Sequence, residues 1–475
     1  MRLADRRNLL PGAAAFAAAL LVALLGLDAG AEQRRPKKRE RFVELQLLGV
    51  NDFHGHLEPP EPGVGGAAWL GAWLDRAAAS HPDRTIRVHA GDMVGASPLV
   101  SSYFNDEPTI EATNRMDFDV GTLGNHEFDE GGAEALRLVR HARYPYVAAN
   151  TVTRDRGELI LPPYEIVERD GVKVGFIGVT TIDTPDFLLS EFARQYRWLD
   201  LSDSVNRWVP ELRRQGVEAI VVLAHAGAFQ RGPQAAVGEI VDEASEMDGS
   251  VDAIVAGHTH SRLNLMVDGK LVIEALAYGV GFDRVRLRVD RRTGEVVAAS
   301  GRVLPTIHAG IEPDPELAEL VEAHAERVAP LGDRVVGHLA HDLDKPALDR
   351  TAADAQRAFA GADVALMNPG NTRRPYLEAG AVTYAEAFEV HAYEHPVWRV
   401  RMRGADVMAA MADQPKLLVS GPRELEPDAV YTVAANGIVA DRPPFSGAVD
   451  REIVGTDLEA IVAWLGEPAG NPVAR

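Results

Sequence analysis

Short apolar runs that end in Asp, Asn or His recur along this chain, and no other feature constrains its fold as much. Leu45–Val50 leads into Asp52 and His54, Thr85–His89 into Asp92, Ala219–Leu223 into His225, and Ala253–Ala256 into His258 and His260. Further runs of the same kind are Tyr144–Ala148, Val172–Val179 and Leu271–Leu276. Several are apolar throughout, as strands buried on both faces require. Helical patterns lie between them. Ala67 to Ala79 puts Leu70, Trp73, Leu74 and Ala77 on one face, and Glu134–Arg143 and Ser204–Arg214 also read as helices. The alternation predicts an α/β layered architecture. In such sheets ligands bind beyond the carboxyl ends of the strands, so the polar islands are expected at one edge, in one site.

Composition narrows what that site can act on. The chain has 475 residues, enough for two or three domains, with 46% hydrophobic and 25% charged residues, as in soluble globular proteins. Its 49 basic and 70 acidic residues leave a net charge of −21. That balance works against binding a nucleic-acid polymer, which depends on Lys and Arg neutralising phosphates. A small phosphate ester is not excluded, because bound cations invert the field locally. The absence of cysteine rules out disulfides, thiolate metal sites and cysteine nucleophiles.

At the N-terminus, Arg2, Arg6 and Arg7 precede an apolar run from Leu9 to Leu27 and an Ala29-Gly30-Ala31 cleavage pattern. This reads as a signal peptide over residues 1–31, through either the general or the twin-arginine route, and predicts a periplasmic or secreted protein with no membrane contact after cleavage. Residues 32–41 form a charged linker.

The islands differ in how much they say. Asn51-Asp52-Phe53-His54 sets an Asp and a His two residues apart, and side chains at that spacing share a face just past a strand. Gly91-Asp92 sits among glycines that permit a tight turn. Gly124-Asn125-His126-Glu127-Phe128-Asp129 is more specific: Asn125 offers a neutral oxygen, His126 is free to face a substrate, and Asp129 is placed to orient and charge that imidazole. A helix N-cap at Asn125 is an alternative use of the same residues. His225 and the pair His258 and His260 add imidazoles after apolar strands. Asp, Asn and His donors without cysteine suit two adjacent divalent cations such as Mn²⁺ or Zn²⁺, which clamp a phosphoryl group. His391 and His395 sit four apart, but Pro396 argues for incidental placement.

These islands, in this order, resemble the calcineurin-like metallophosphoesterases and specifically the secreted 5′-nucleotidase family. The resemblance implies an N-terminal four-layer αββα sandwich over residues 42–308, a linker helix within 309–333 and a smaller C-terminal α/β substrate-binding domain over 334–475. It implies one metal on Asp52, His54, Asp92 and His260, and a second on Asp92 as bridge, Asn125, His225 and His258. His126, paired with Asp129, is then the catalytic residue, and a metal-bound hydroxide attacks phosphorus. The implied activity is 5′-nucleotidase-like phosphoester hydrolysis on a small molecule, with 2′,3′-cyclic phosphodiesterase and thiosulfohydrolase chemistry as alternatives on the same metals. A non-catalytic metal- or nucleotide-binding protein is a rival from another class.

The C-terminal half departs from the family pattern. Met367–Arg374 keeps Asn368, Gly370 and Arg373 as expected substrate contacts but has Asn371 where a second glycine is expected. His391-Ala392-Tyr393-Glu394 stands for a Pro-Phe-x-Asn loop, which would put the acid of Glu394 beside an anionic ester. Asp441–Phe445 replaces a late Gly-Asp-Gly-aromatic loop, and Phe445, with Tyr393, is the expected aromatic platform for a base.

Overall fold

The computed structural model describes residues 40–448 and 450–466. The expected signal peptide and all but the last two residues of the charged stretch lie outside them. Everything below concerns the compact unit that begins at Phe42.

Two six-stranded sheets form its N-terminal part. In the first, Phe42–Val50, Thr85–His89, Val120–Thr122 and Tyr146–Val147 run parallel, flanked by the antiparallel strands Gly281–Asp290 and Val296–Pro305. In the second, Val172–Thr180, Ala219–His225, Val251–Ala256 and Lys270–Ala275 run parallel between the antiparallel edges Tyr164–Arg169 and Arg262–Val267. Alternate residues of each central strand face opposite layers. Leu45 and Leu47 meet Phe176, Val221 and Val255 between the sheets. Leu48 and Val50 pack outward with Leu70 and Leu74 of the helix Ala67–Ala78. Ile220, Val222 and Ile254 pack outward from the second sheet on Leu201, Val205 and Val209 of the helix Leu201–Arg214. The layers are therefore helix, sheet, sheet, helix.

Local chemistry explains where element ends differ from expectation. The run Tyr144–Ala148 contributes only Tyr146–Val147 to the ladder. Pro145 has no N–H to pair and offers only its carbonyl, to Gly121. The helix expected from Ser204 begins at Leu201, because the Asp200 carboxylate accepts the Asp203 N–H at 2.8 Å and caps it. The strand Val120–Thr122 has no counterpart among the expected runs; three residues are too short to show a period.

A helix over Pro315–Gly332, inside the expected 309–333, packs on the helix Ala67–Ala78, with Leu317 against Gly71 and Leu320 in the same apolar cluster. The same apolar cluster continues into Leu339, Val382, Phe388, Leu458 and Ile461. The C-terminal part is a smaller α/β unit. Its five-stranded sheet has the order Leu418–Ser420, Val364–Met367, Val430–Asn436, Pro396–Arg403, Arg451–Thr456. No helix among the described residues is long and apolar enough to cross a membrane.

Candidate metal centre

The carboxyl ends of the parallel strands from both sheets meet at one edge, and the polar islands gather there. Asp52 follows Phe42–Val50, Asp92 follows Thr85–His89, Asn125 follows Val120–Thr122, His225 ends Ala219–His225, and His258 and His260 follow Val251–Ala256. Three overlapping sets bring ligand atoms within 4.8 Å of one another: Asp52, His54 and His260; His54, Asp92 and His126; and Asp92, His225 and His258. Asn125 joins the last set, its Oδ1 3.0 Å from His225 Nε2. Asp52, His54, Asn125 and His225 are fully buried.

The backbone at this edge is unusual. Asp52, His54, Asp92, His258 and His260 all have positive φ, between 48° and 81°. This region is costly for residues with a Cβ, and such strain persists where the surroundings over-determine it. Close approach of the Asp92 and Asn125 loops also needs glycine. A Cβ on Gly91 would strike the backbone of Gly124, and one on Gly124 would strike the Asp92 carboxylate.

The donor set fits cations. The Nδ1 atoms of His54 and His225 lie 2.8 and 2.9 Å from the carbonyls of Gly95 and Ala90. Donation there leaves each Nε2 as an inward lone pair. The His225 Nε2 then faces Asn125 Oδ1 at 3.0 Å and Asp92 Oδ2 at 3.1 Å, three acceptors converging on one point. Only a cation or an added proton satisfies such a group. Burial opposes charge on the His225 ring, but Asp92, Asp52 and Glu127 lift it to about 10. Burial alone would raise Asp92, yet His225 and His126 hold it well below the usual carboxylate range.

Beside the donors, the His126 Nδ1 lies 2.9 Å from Asp129 Oδ2, whose carboxylate also accepts the Ala96 N–H. Burial disfavours the imidazolium, but Asp129 and Asp92 outweigh it and raise the His126 pKa. The backbone N–H of His126 donates to Asp92 Oδ1 at 2.8 Å, tying the pair to the candidate ligand Asp92. Asn125 makes no side-chain cap on the short turn His126–Phe128.

Several site residues escape sequence reasoning. The buried Glu127 carboxylate accepts the backbone N–H groups of Asp92, Met93 and Gly124, so it clamps two ligand loops together. Asn51 bridges Asp52 Oδ2 and the Leu276 carbonyl, each at 2.6 Å. Glu274 accepts from Thr259 Oγ1 and the Ser261 N–H on either side of His260. Spacing alone does not find these contacts, because most join segments far apart in the chain. The Glu127 motif is visible in the sequence, but as a helix start.

The C-terminal part walls a cleft of about 270 Å³ over the donors, lined by Asn368, Gly370, Asn371, Arg373, Tyr393 and His395 with Phe187, His258 and His260. Arg373 Nη2 lies 3.5 Å from His54 Nε2. Tyr393 stacks on His126, ring centres 5.5 Å apart. Phe445 is a correction: its side chain is fully buried with Val400, Met402 and Val433 in the C-terminal core, so no face is open to a base. Glu394 is another. It lines a separate cavity beside Asp129 and Glu130 and not the cleft, and adopts φ 47°.

Comparison with known proteins agrees with this geometry. A model of calcineurin-like phosphoesterases matches residues 45–262, and a model of the 5′-nucleotidase C-terminal domain matches 341–422. Endonuclease YhcR of Bacillus subtilis is 32% identical over 92% of this chain and 41% of its own length. Cell wall protein Lmo0130 of Listeria monocytogenes is 34% identical over 78% of this chain and 56% of its own. The chain thus spans about half the length of these relatives. A 5′-nucleotidase precursor from Thermus thermophilus superposes with a TM-score of 0.78 at 25% identity, over 89% of this chain and 96% of that one. Calcineurin-like phosphoesterases use divalent metals, for which this chain has candidate ligands. From its strand-end donors to its C-terminal fold, the chain carries a calcineurin-like phosphoesterase domain followed by a 5′-nucleotidase C-terminal domain.

Proposed function

We propose that this chain is an exported hydrolase of 5′-nucleotides or related small phosphoesters, working with two divalent cations. The observation that carries this reading is the convergence of two donor sets on Asp92, with the His126–Asp129 pair at their edge and Arg373 above. Asp52, His54 and His260 would hold one cation, Asn125, His225 and His258 the other, and Asp92 both. Such cations supply charge for the phosphoryl oxygens and acidify a water molecule. The residues of the chain do the rest. Arg373, half-buried and cationic, orients an anionic ester over the donors. His126, its charge sustained by Asp129, faces the cleft as donor to the leaving oxygen. The signal-like segment and the similarity to a protein named for the cell wall support export.

The test is phosphate release by protein from Glu32 onward, with added Mn²⁺, from 5′-AMP, a UDP-sugar, 2′,3′-cyclic AMP and bis-p-nitrophenyl phosphate. Selective turnover of 5′-AMP is expected. Turnover of the generic diester alone would put the natural substrate outside the nucleotides, and no turnover would overturn the reading.

A further inference from the structure

Asn371 stands where the family resemblance expects glycine, and a buried network is built on its side chain. The residue is 1% exposed. Its Nδ2 donates to Asp457 Oδ2 at 2.8 Å and lies 3.1 Å from His391 Nδ1. Its Oδ1 accepts from His395 Nδ1 at 3.0 Å and from Asn436 Nδ2 at 3.1 Å. A carboxamide has two donors and two acceptor lone pairs, so all are used. The partners sit on separate elements: His391 ends the helix Tyr384–Val390, Asp457 starts the helix Asp457–Gly466, and Asn436 ends the strand Val430–Asn436. Asn436 reaches on to Asn368 Oδ1 at 2.6 Å, at the cleft.

The consequence falls on His395. Its Nδ1 proton is committed to Asn371, so its Nε2 carries a lone pair. Burial, reinforced by the charge of His126, holds the ring down at about 4, and it is neutral at physiological pH. The ring plane is fixed as well. It stacks on Tyr393 at 5.0 Å and 8°, and Tyr393 also stacks with His126 at 5.5 Å and 19°. The cleft is thus lined by both a cationic arginine, suited to the anion, and a neutral imidazole acceptor.

We infer that His395, held in one tautomer by Asn371, is a specificity residue that accepts a hydrogen bond from a hydroxyl on the leaving group, and that Asn371 is its positioning residue. The ligand class is therefore a polyhydroxylated leaving group such as a pentose. This deepens the hydrolase reading and rests on it.

The experiment compares kcat/KM for 5′-AMP and for 2′,3′-dideoxy-AMP, which differ only in the hydroxyls. Wild-type protein should prefer 5′-AMP by about tenfold, the worth of one hydrogen bond to a committed acceptor. His395→Ala and Asn371→Gly should bring the ratio toward one, mainly through KM. His395→Gln, which keeps an acceptor at the Nε2 position, should restore part of it. In parallel, calorimetry of adenosine and 2′,3′-dideoxyadenosine reads the same preference without turnover, and His395→Ala serves if Asn371→Gly fails to fold. Equal preference in wild type and both alanine and glycine variants would overturn the inference. A hydroxyl preference in calorimetry that depends on His395, in a protein that hydrolyses nothing, would sink the hydrolase reading and leave this one standing.

Discussion

The two sides of the cleft are built differently. On the N-terminal side, donors project from the ends of parallel strands, each within a few residues of a regular element. On the C-terminal side the wall is loop: Asn368–Arg373 and Tyr393–His395, held by side-chain hydrogen bonds that join distant segments. A strand end fixes direction through the period of the strand, so a short motif suffices to place a ligand. A loop wall has no such period, and its shape is set by partners that a local reading does not see. The same contrast separates what should be essential for chemistry from what should tune selectivity.

The sharpest way to test that contrast is at the shared carboxylate. Asp92→Asn should lower kcat/KM by a factor on the order of 10³ or more and reduce bound metal, while circular dichroism keeps the native signature. Normal metal content and turnover would break the N-terminal half of the comparison. His126→Ala should cost about 10²–10⁴-fold in kcat with metal content retained, which separates it from the ligands. On the other wall, Arg373→Ala should act mainly on KM, by about tenfold to a hundredfold, as expected for losing a charged hydrogen bond.

Phe445→Ala sharpens the comparison further. It should destabilise the protein by about 3–5 kcal/mol in denaturant or thermal unfolding, and it should change KM no more than the loss of folded protein explains. A selective loss of nucleotide binding would restore Phe445 to the cleft.

The smallest effect concerns Asp252, on the strand that delivers His258. Burial raises its carboxyl to about 7, against the hydrogen bond from Ile220 N–H and with help from Glu218. The folded state therefore holds a proton there that the unfolded chain has lost above its ordinary value of 3.8. Its contribution to stability should fall as pH rises from about 4 to about 7 and stay level above, by about 1–3 kcal/mol. Asp252→Asn should remove that slope from urea unfolding followed against pH.

The layered fold was legible because apolar strands and amphipathic helices leave strong local periods, as in Thr85–His89 and Ala67–Ala78. The strand-end donors were legible because each donor lies a few residues from such a period. What escaped depended on tertiary placement. Glu127 looks like a helix-start acid until its carboxylate is seen holding the Asp92 and Gly124 backbones. His395 looks incidental until its partner Asn371 is known. An aromatic in a loop pattern reads the same whether it faces a ligand or a core, and Phe445 faces the core.

The positive φ angles at Asp52, His54, Asp92, His258 and His260 bear on transplantation. A designer who copied the donor identities and their spacing onto ordinary helices or strands would aim the side chains elsewhere, because those elements confine φ to negative values. What must be moved is the set of left-handed turns, with the glycines and buried clamps that hold them. Each such turn costs of order 1–2 kcal/mol that the host has to absorb. A small scaffold with a margin of about 5 kcal/mol could not absorb five of them.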